Sequence, residues 1–205
     1  MVLLGCAAIP CTANAHRLDE YLQATRISIA ADRIKVEFNL TPGAAVADDV
    51  FATIDADRDE KISPAEGSAY VESFVRSLSL DVDGELRSLS LDTYSIPSLK
   101  DMRHGEGVLR LRATARTPIA SAGHHQLAFA NKHRSDIGVY LINALIPADN
   151  RIRITGQTRD MLQHEFKMDY AVSESEREPE LAAVIPPILG LLLAAGFYAV
   201  ARRFS

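Results

Sequence analysis

Tryptophan is absent from these 205 residues, and cysteine occurs only twice, at Cys6 and Cys11. With both thiols so close to the start, no disulfide links the body of the chain, and no thiol there can act as a nucleophile. A basic excess is missing too. Lys and Arg total 22 against 27 Asp and Glu, for a net charge of −5. That balance leaves no basic stripe for nucleic acid, and no nucleic-acid motif occurs, so such a partner is not expected. Catalytic signatures are also lacking: there is no Gly-x-Ser-x-Gly, no His-Glu-x-x-His and no glycine-rich phosphate loop. His164, Glu165 and Asp136 are acid/base groups only in the sense that any exposed pair is. The chain reads as non-enzymatic.

What the sequence does hold is a run of acidic residues at calcium-loop spacing. Asp55, Asp57 and Asp59 stand at positions 1, 3 and 5 of a twelve-residue EF-hand loop. Position 7 is Lys61, which would lend only its backbone carbonyl. Position 9 is Ser63, and position 12 is Glu66, which can bind a cation through both oxygens. Calcium is a hard cation that takes six to eight oxygens at about 2.3–2.6 Å, and it would neutralise the mutual repulsion of these carboxylates. Ile62, at position 8, is the apolar residue that pins such a loop to its neighbour. One position departs from the pattern. Glu60 stands where glycine is usual, at a turn with positive φ, a substitution worth about 1 kcal/mol of backbone strain. The sequence alone also permits a plainer acidic connection in which Glu66 sits in the first turn of the next helix.

Both ends of the chain point to export and anchoring. Residues 1–15 are apolar, then small, and finish in Ala13-Asn14-Ala15, an A-x-A cleavage pattern ahead of His16. The basic segment that opens such leaders is missing, so the true start is expected upstream of Met1. A lipobox reading competes: Leu3-Leu4-Gly5-Cys6 would make Cys6 a lipidated terminus. Residues 181–200 form an uncharged apolar run, and twenty residues at 1.5 Å rise span about 30 Å, the thickness of a bilayer core. Arg202 and Arg203 follow at once, which by the positive-inside rule holds residues 201–205 in the cytoplasm. The expected topology is a single span in the inner membrane with residues 16–172 in the periplasm, joined by a charged linker at 173–180.

Between the ends, strand patterns dominate. Residues 33–40 alternate strictly, with Ile34, Val36, Phe38 and Leu40 on one face, and pair with 19–30 as a hairpin about Ala31-Asp32. Residues 45–54 read as a short helix entering the acidic loop. Pro64 opens a second helix whose stripe is Tyr70, Val71, Phe74, Val75 and Leu78. After a turn at Asp83-Gly84, further strands are expected over 86–96, 107–116, 125–131, 139–146, 151–157 and 165–171. The expected fold is mainly β: an antiparallel, immunoglobulin-like β-sandwich with a helix-loop-helix inserted at 45–78, plus one C-terminal transmembrane helix.

The histidines suggest a second chemistry. Cleavage after Ala15 would make His16 the mature terminus, and its amine and imidazole together chelate Cu2+ or Ni2+ well. His124, His125 and His133 are the available further ligands, with His125 and His133 on one face only if their strand runs unbroken. Ordinary solvent-facing histidines remain the alternative. Arg110, Arg112 and Arg116 share one strand face that suits an acidic partner or plain solvent equally well.

The run from His16 to Thr25, with Asp55, Asp57, Asp59 and the Ser63-Pro64-Ala65-Glu66 segment, resembles exported bacterial ectodomains that precede HupE/UreJ-type and nickel/cobalt exporter-type membrane domains. The likeness covers residues 15 to about 90. It implies a link to metal handling and a membrane-protein partner; with one span in place of a transport domain, transport itself does not carry over. Together these features give a membrane-anchored, calcium-binding docking module, with a periplasmic Cu/Ni-binding accessory role or a metal-free structural module as alternatives.

Overall fold

The protein's structure is a computed structural model that describes residues 19–174. The expected leader at 1–15, His16, the span at 181–200 and the tail at 201–205 lie outside the described residues, as does all of the 173–180 linker after Glu174. Among the described residues no helix is long and apolar enough to cross a membrane.

The chain opens with a hairpin of β1 (Tyr21–Ala30) and β2 (Arg33–Pro42), joined by the two-residue Ala31-Asp32 turn. Two helices follow, α1 (Ala47–Ala52) and α2 (Pro64–Arg76). Then come β3 (Leu78–Val82), β4 (Glu85–Leu86), β5 (Ser90–Ser95), the short α3 (Leu99–Arg103) and β6 (Leu109–Arg116). β7 (Gly123–Asn131), β8 (Gly138–Ala144), β9 (Ile152–Arg159) and β10 (Glu165–Val172) complete the body.

The ten strands form two five-stranded sheets, ordered β5-β6-β2-β1-β8 and β4-β3-β7-β10-β9. Their inward faces share one core. Phe38 of the first sheet and Phe129 of the second lie 6.2 Å apart across the interior, and Ile27, Val36, Leu80, Leu127, Phe166 and Met168 are buried around them. The fold is thus mainly β in a β-sandwich arrangement, with the helix pair inserted between the second and third strands.

Two features differ from the expected antiparallel, eight-strand pattern. β1 and β8 pair in parallel, Tyr21 opposite Gly138 through Ile27 opposite Ala144. The reason is the route of the chain: β7 ends in the second sheet, the 132–137 loop crosses over, and β8 starts at the end where β1 starts. The Tyr21 amide donates to the Ile137 carbonyl there at 2.9 Å. The second difference is that the single strand expected at 86–96 splits. β4 pairs with β3 in one sheet, whereas β5 pairs with β6 in the other, with an irregularity between Leu91 and Thr93.

Inserted helix α2 is seated on the sandwich by its apolar stripe. Tyr70, Val71 and Phe74 are buried, and Phe74 meets Phe38 edge-on with ring centroids 4.9 Å apart. Its entry is fixed by Pro64 at the first turn and by a complete capping box between Ser63 and Glu66. That geometry places the acidic loop at one end of the fold.

Candidate metal centre

The loop begins where α1 runs out. Ile54 is buried, and Asp55 is only 5% exposed, whereas Asp57 and Asp59 face solvent. Each carboxylate folds back on the loop's own amides. Asp55 accepts from the Asp59 amide at 3.2 Å and from the Glu60 amide at 3.0 Å. Asp57 accepts from the Asp59 amide at 3.2 Å, and Asp59 from the Lys61 amide at 2.8 Å. This winding brings one ligand oxygen from each of Asp55, Asp57 and Asp59 within 4.8 Å of one another. A cluster of that kind can hold a metal ion.

Glu60 keeps the turn despite its side chain. Its φ is 62°, and Arg58 two residues earlier has the same value. Both lie in the left-handed region that an L-residue enters at a cost of about 1–2 kcal/mol. Glu60→Gly is therefore expected to raise the unfolding free energy of the chelator-treated protein by about 1 kcal/mol, read as a higher urea midpoint at unchanged slope. A destabilised variant would show that the turn is not strained.

Ser63 and Glu66 close the far side. Glu66 Oε1 accepts from the Ala56 amide at 2.7 Å and the Asp57 amide at 3.3 Å, so this carboxylate reaches back across the loop. Its Oε2 accepts from the Ser63 amide at 2.9 Å and the Ser63 hydroxyl at 2.7 Å, while the Glu66 amide donates to Ser63 Oγ at 3.3 Å. The Ser63 amide above all, then its hydroxyl and the amides of Asp57 and Ala56, hold the Glu66 carboxyl down at about 2. Asp57 moves the other way. The Asp59 amide pulls its carboxyl down, but desolvation and the charges of Asp59 and Glu66 outweigh it and raise the group above its ordinary value. Added positive charge would relieve that repulsion.

The donor set fits a hard cation. Three clustered carboxylates offer anionic oxygens with no nitrogen or sulfur among them. Lys61 is exposed, and its amide is committed to Asp59. Ser63 and Glu66 serve the helix cap, so in this arrangement they brace the cluster from outside it. Ile62 packs against the core, as its position in the loop predicts.

Of the described histidines in the expected transition-metal set, His125 and His133 have separate surroundings. β7 ends at Asn131, so the unbroken strand that would align His125 with His133 does not exist. His125 engages both ring nitrogens, Nδ1 with Asp83 at 2.7 Å and Nε2 with the Ser121 carbonyl at 2.9 Å, and it stacks on Tyr170. Its hydrogen bond to Asp83, then that to Ser121, raises its pKa. His133 lies in the crossover loop, with Nε2 3.0 Å from the Tyr70 hydroxyl. The ring partners of the two differ, Asp83, Ser121 and Tyr170 for His125 and Tyr21, Tyr70 and Phe74 for His133.

His133 instead centres a polar cluster that sequence patterning overlooks. Its carbonyl accepts from Gln23 Nε2 at 2.7 Å and from the Tyr140 hydroxyl at 2.6 Å, and its amide donates to Asn131 Oδ1 at 2.9 Å. Asn131 donates to Gln23 Oε1 at 2.9 Å, and Tyr21 and Tyr70 hydroxyls meet at 2.9 Å. Next to it, Arg134 bridges Asp136 and, at 2.6 Å, Asp49 of α1. The crossover loop thereby ties both helices of the insertion to the sandwich. The signal lay in the inward positions of β1, where Gln23 and Thr25 stand between Tyr21 and Ile27.

No family model matches the chain, and no curated protein is significantly similar to it.

Proposed function

We propose that this chain is a non-enzymatic extracytoplasmic module, an immunoglobulin-like sandwich anchored by the 181–200 span, whose 55–66 loop takes up Ca2+ to fix a docking surface for a membrane-protein partner. The observation that carries the reading is the cluster of Asp55, Asp57 and Asp59, with ligand oxygens within 4.8 Å on a loop that joins two helices. All-oxygen donors disfavour soft metals, and a cluster of three carboxylates suits calcium better than magnesium, which usually keeps several waters and takes only one or two. The ion would lock the angle between α1 and α2. A metal-free structural module is the second reading, favoured by one observation: the capping box already satisfies Ser63 and Glu66 within the loop.

A thermal melt separates the two. Calcium at a hundredfold excess over its dissociation constant adds about 2.7 kcal/mol, which raises Tm by roughly 5–10 °C in a body of this size. Asp57→Asn is expected to shrink that increment, and Asp55→Ala to abolish it while also lowering Tm in chelator, because Asp55 supports the Asp59 and Glu60 amides. An unchanged Tm for the parent protein at millimolar calcium would leave only the metal-free reading.

A further inference from the structure

The two ends of the sandwich differ in where the chain leaves. Strand registers gather the Ala31-Asp32 turn, the Asp83-Gly84 turn and the 117–122 and 145–151 loops at the end opposite the acidic loop. Amides of Thr117 and Ala120 donate there to the carbonyls of Asp32 and Ala31 at 3.0 and 2.9 Å. β10 runs to this same end, where the Ser173 amide donates to the Arg151 carbonyl at 2.8 Å. The loops at this exit end carry bare apolar tips. Ile146 is 92% exposed and Ile119 is 78% exposed, with Leu145 beside Ile146 also in solvent. Removing such side chains from water is favourable, so two exposed tips at the same end mark a contact surface. Pro118 precedes Ile119 and Pro147 follows Ile146, which limits the freedom the tips would lose on insertion. Exposed Arg116 and Arg153 flank them.

Chain length decides what covers these tips. On the reading that residues 181–200 span the membrane, residues 175–180 supply at most about 20 Å of extended chain between Glu174 and lipid. A ten-residue strand such as β1 is about 33 Å long, so the tether keeps the exit end, not the acidic-loop end, within reach of the bilayer. So short a link also makes the local concentration of lipid high. We propose that Ile119 and the Leu145-Ile146 tip insert into the headgroup boundary of the membrane that anchors the chain, with Arg116 and Arg153 meeting lipid phosphates. The inserted depth is that of interfacial segments, about 5–10 Å. Docking in this way orients the acidic loop away from the bilayer, toward partners. This inference rests on the anchoring reading.

The lack of tryptophan makes the test clean. Ile119→Trp, Ile146→Trp and Met161→Trp each give the full chain a single indole; Met161, 98% exposed in the β9–β10 turn, is the control from the opposite end. All three sites are exposed, so folding should tolerate the change. The variants are reconstituted into phosphatidylethanolamine–phosphatidylglycerol vesicles carrying a quencher high on the acyl chain, then floated. The indoles at 119 and 146 are expected to lose roughly half their emission and shift to the blue, and the indole at 161 to keep its own. Flotation without quenching at 119 and 146 overturns the lipid contact and leaves the anchor standing. Equal quenching at 161 overturns the assigned end. Failure to float overturns the anchor and this contact together.

Discussion

Phe74→Ala is expected to lower the unfolding free energy by about 3–5 kcal/mol, the largest effect of any single truncation on α2. Phe74 is fully buried and holds the insertion to the sandwich by two edge-on contacts, with Phe38 at 4.9 Å and with His133 at 5.0 Å between ring centroids. Removing the ring discards its transfer energy and opens a cavity among groups that cannot collapse, since Phe38 sits on a paired strand and the His133 backbone is held by three hydrogen bonds. Urea midpoints give the measurement, with an unchanged slope expected. Phe74→Leu, which keeps most of the volume, should lose far less. The calcium increment in Tm is also expected to fall in Phe74→Ala, because an α2 loosened from the core no longer passes the loop's order to the body. A loss below about 1 kcal/mol would mean that α2 is not docked as described.

Much of this fold was legible because its apolar residues keep strict periods. Ile34, Val36, Phe38 and Leu40 announce β2, and Tyr70, Val71 and Phe74 announce α2, since one face of each element is buried and the other is wet. α3 was missed although Ser98 accepts from the Asp101 amide at 3.2 Å, a cap spacing visible in sequence; five residues are too few for a helical period to show. The parallel β1–β8 pair was not legible at all. Alternation tells which face a residue takes but not which strand lies beside it, and that was decided by where the crossover loop delivers β8.

The acidic loop was legible for a different reason. Ligand spacing is local, so Asp55, Asp57 and Asp59 fall together once the chain winds through Arg58 and Glu60. What sequence could not decide is how Ser63 and Glu66 divide their oxygens between a helix cap and a cation, because both uses demand the same residues at the same spacing. The His125 and His133 pairing was not legible either. They stand eight positions apart, but β7 stops at Asn131, and each ring then finds its own partners, Asp83 and Ser121 for one and Tyr70 for the other.

Stability is expected to fall by about 2 kcal/mol between pH 7 and pH 5, with His133 as the group responsible. Burial, then the neighbouring Arg134 charge, pushes its imidazole down to about 4, with Asp136 opposing only in part. An unfolded histidine titrates near 6.5. Between those values the unfolded chain binds a proton that the folded chain refuses, so acid favours unfolding across that window and stability is regained above it. His125 acts elsewhere. Its pKa is raised, chiefly by Asp83, so its contribution is complete below about 6.5 and is lost only as pH rises through its folded value. Glu66 enters later still, since its contribution is lost as pH falls from the ordinary carboxylate range toward about 2. Above about pH 6.5 His125 therefore works against the loss, and below that value His133 sets the slope. His133→Gln is expected to flatten the slope of unfolding free energy against pH there, whatever its own stability at pH 7, and an NMR titration of the parent protein should find one imidazole still neutral at pH 5. Because the Tyr70 hydroxyl lies 3.0 Å from His133 Nε2 and Tyr70 belongs to α2, protonation would strike the seam between insertion and sandwich first. Amide exchange in α2 should accordingly quicken on acidification before that of β7 and β10.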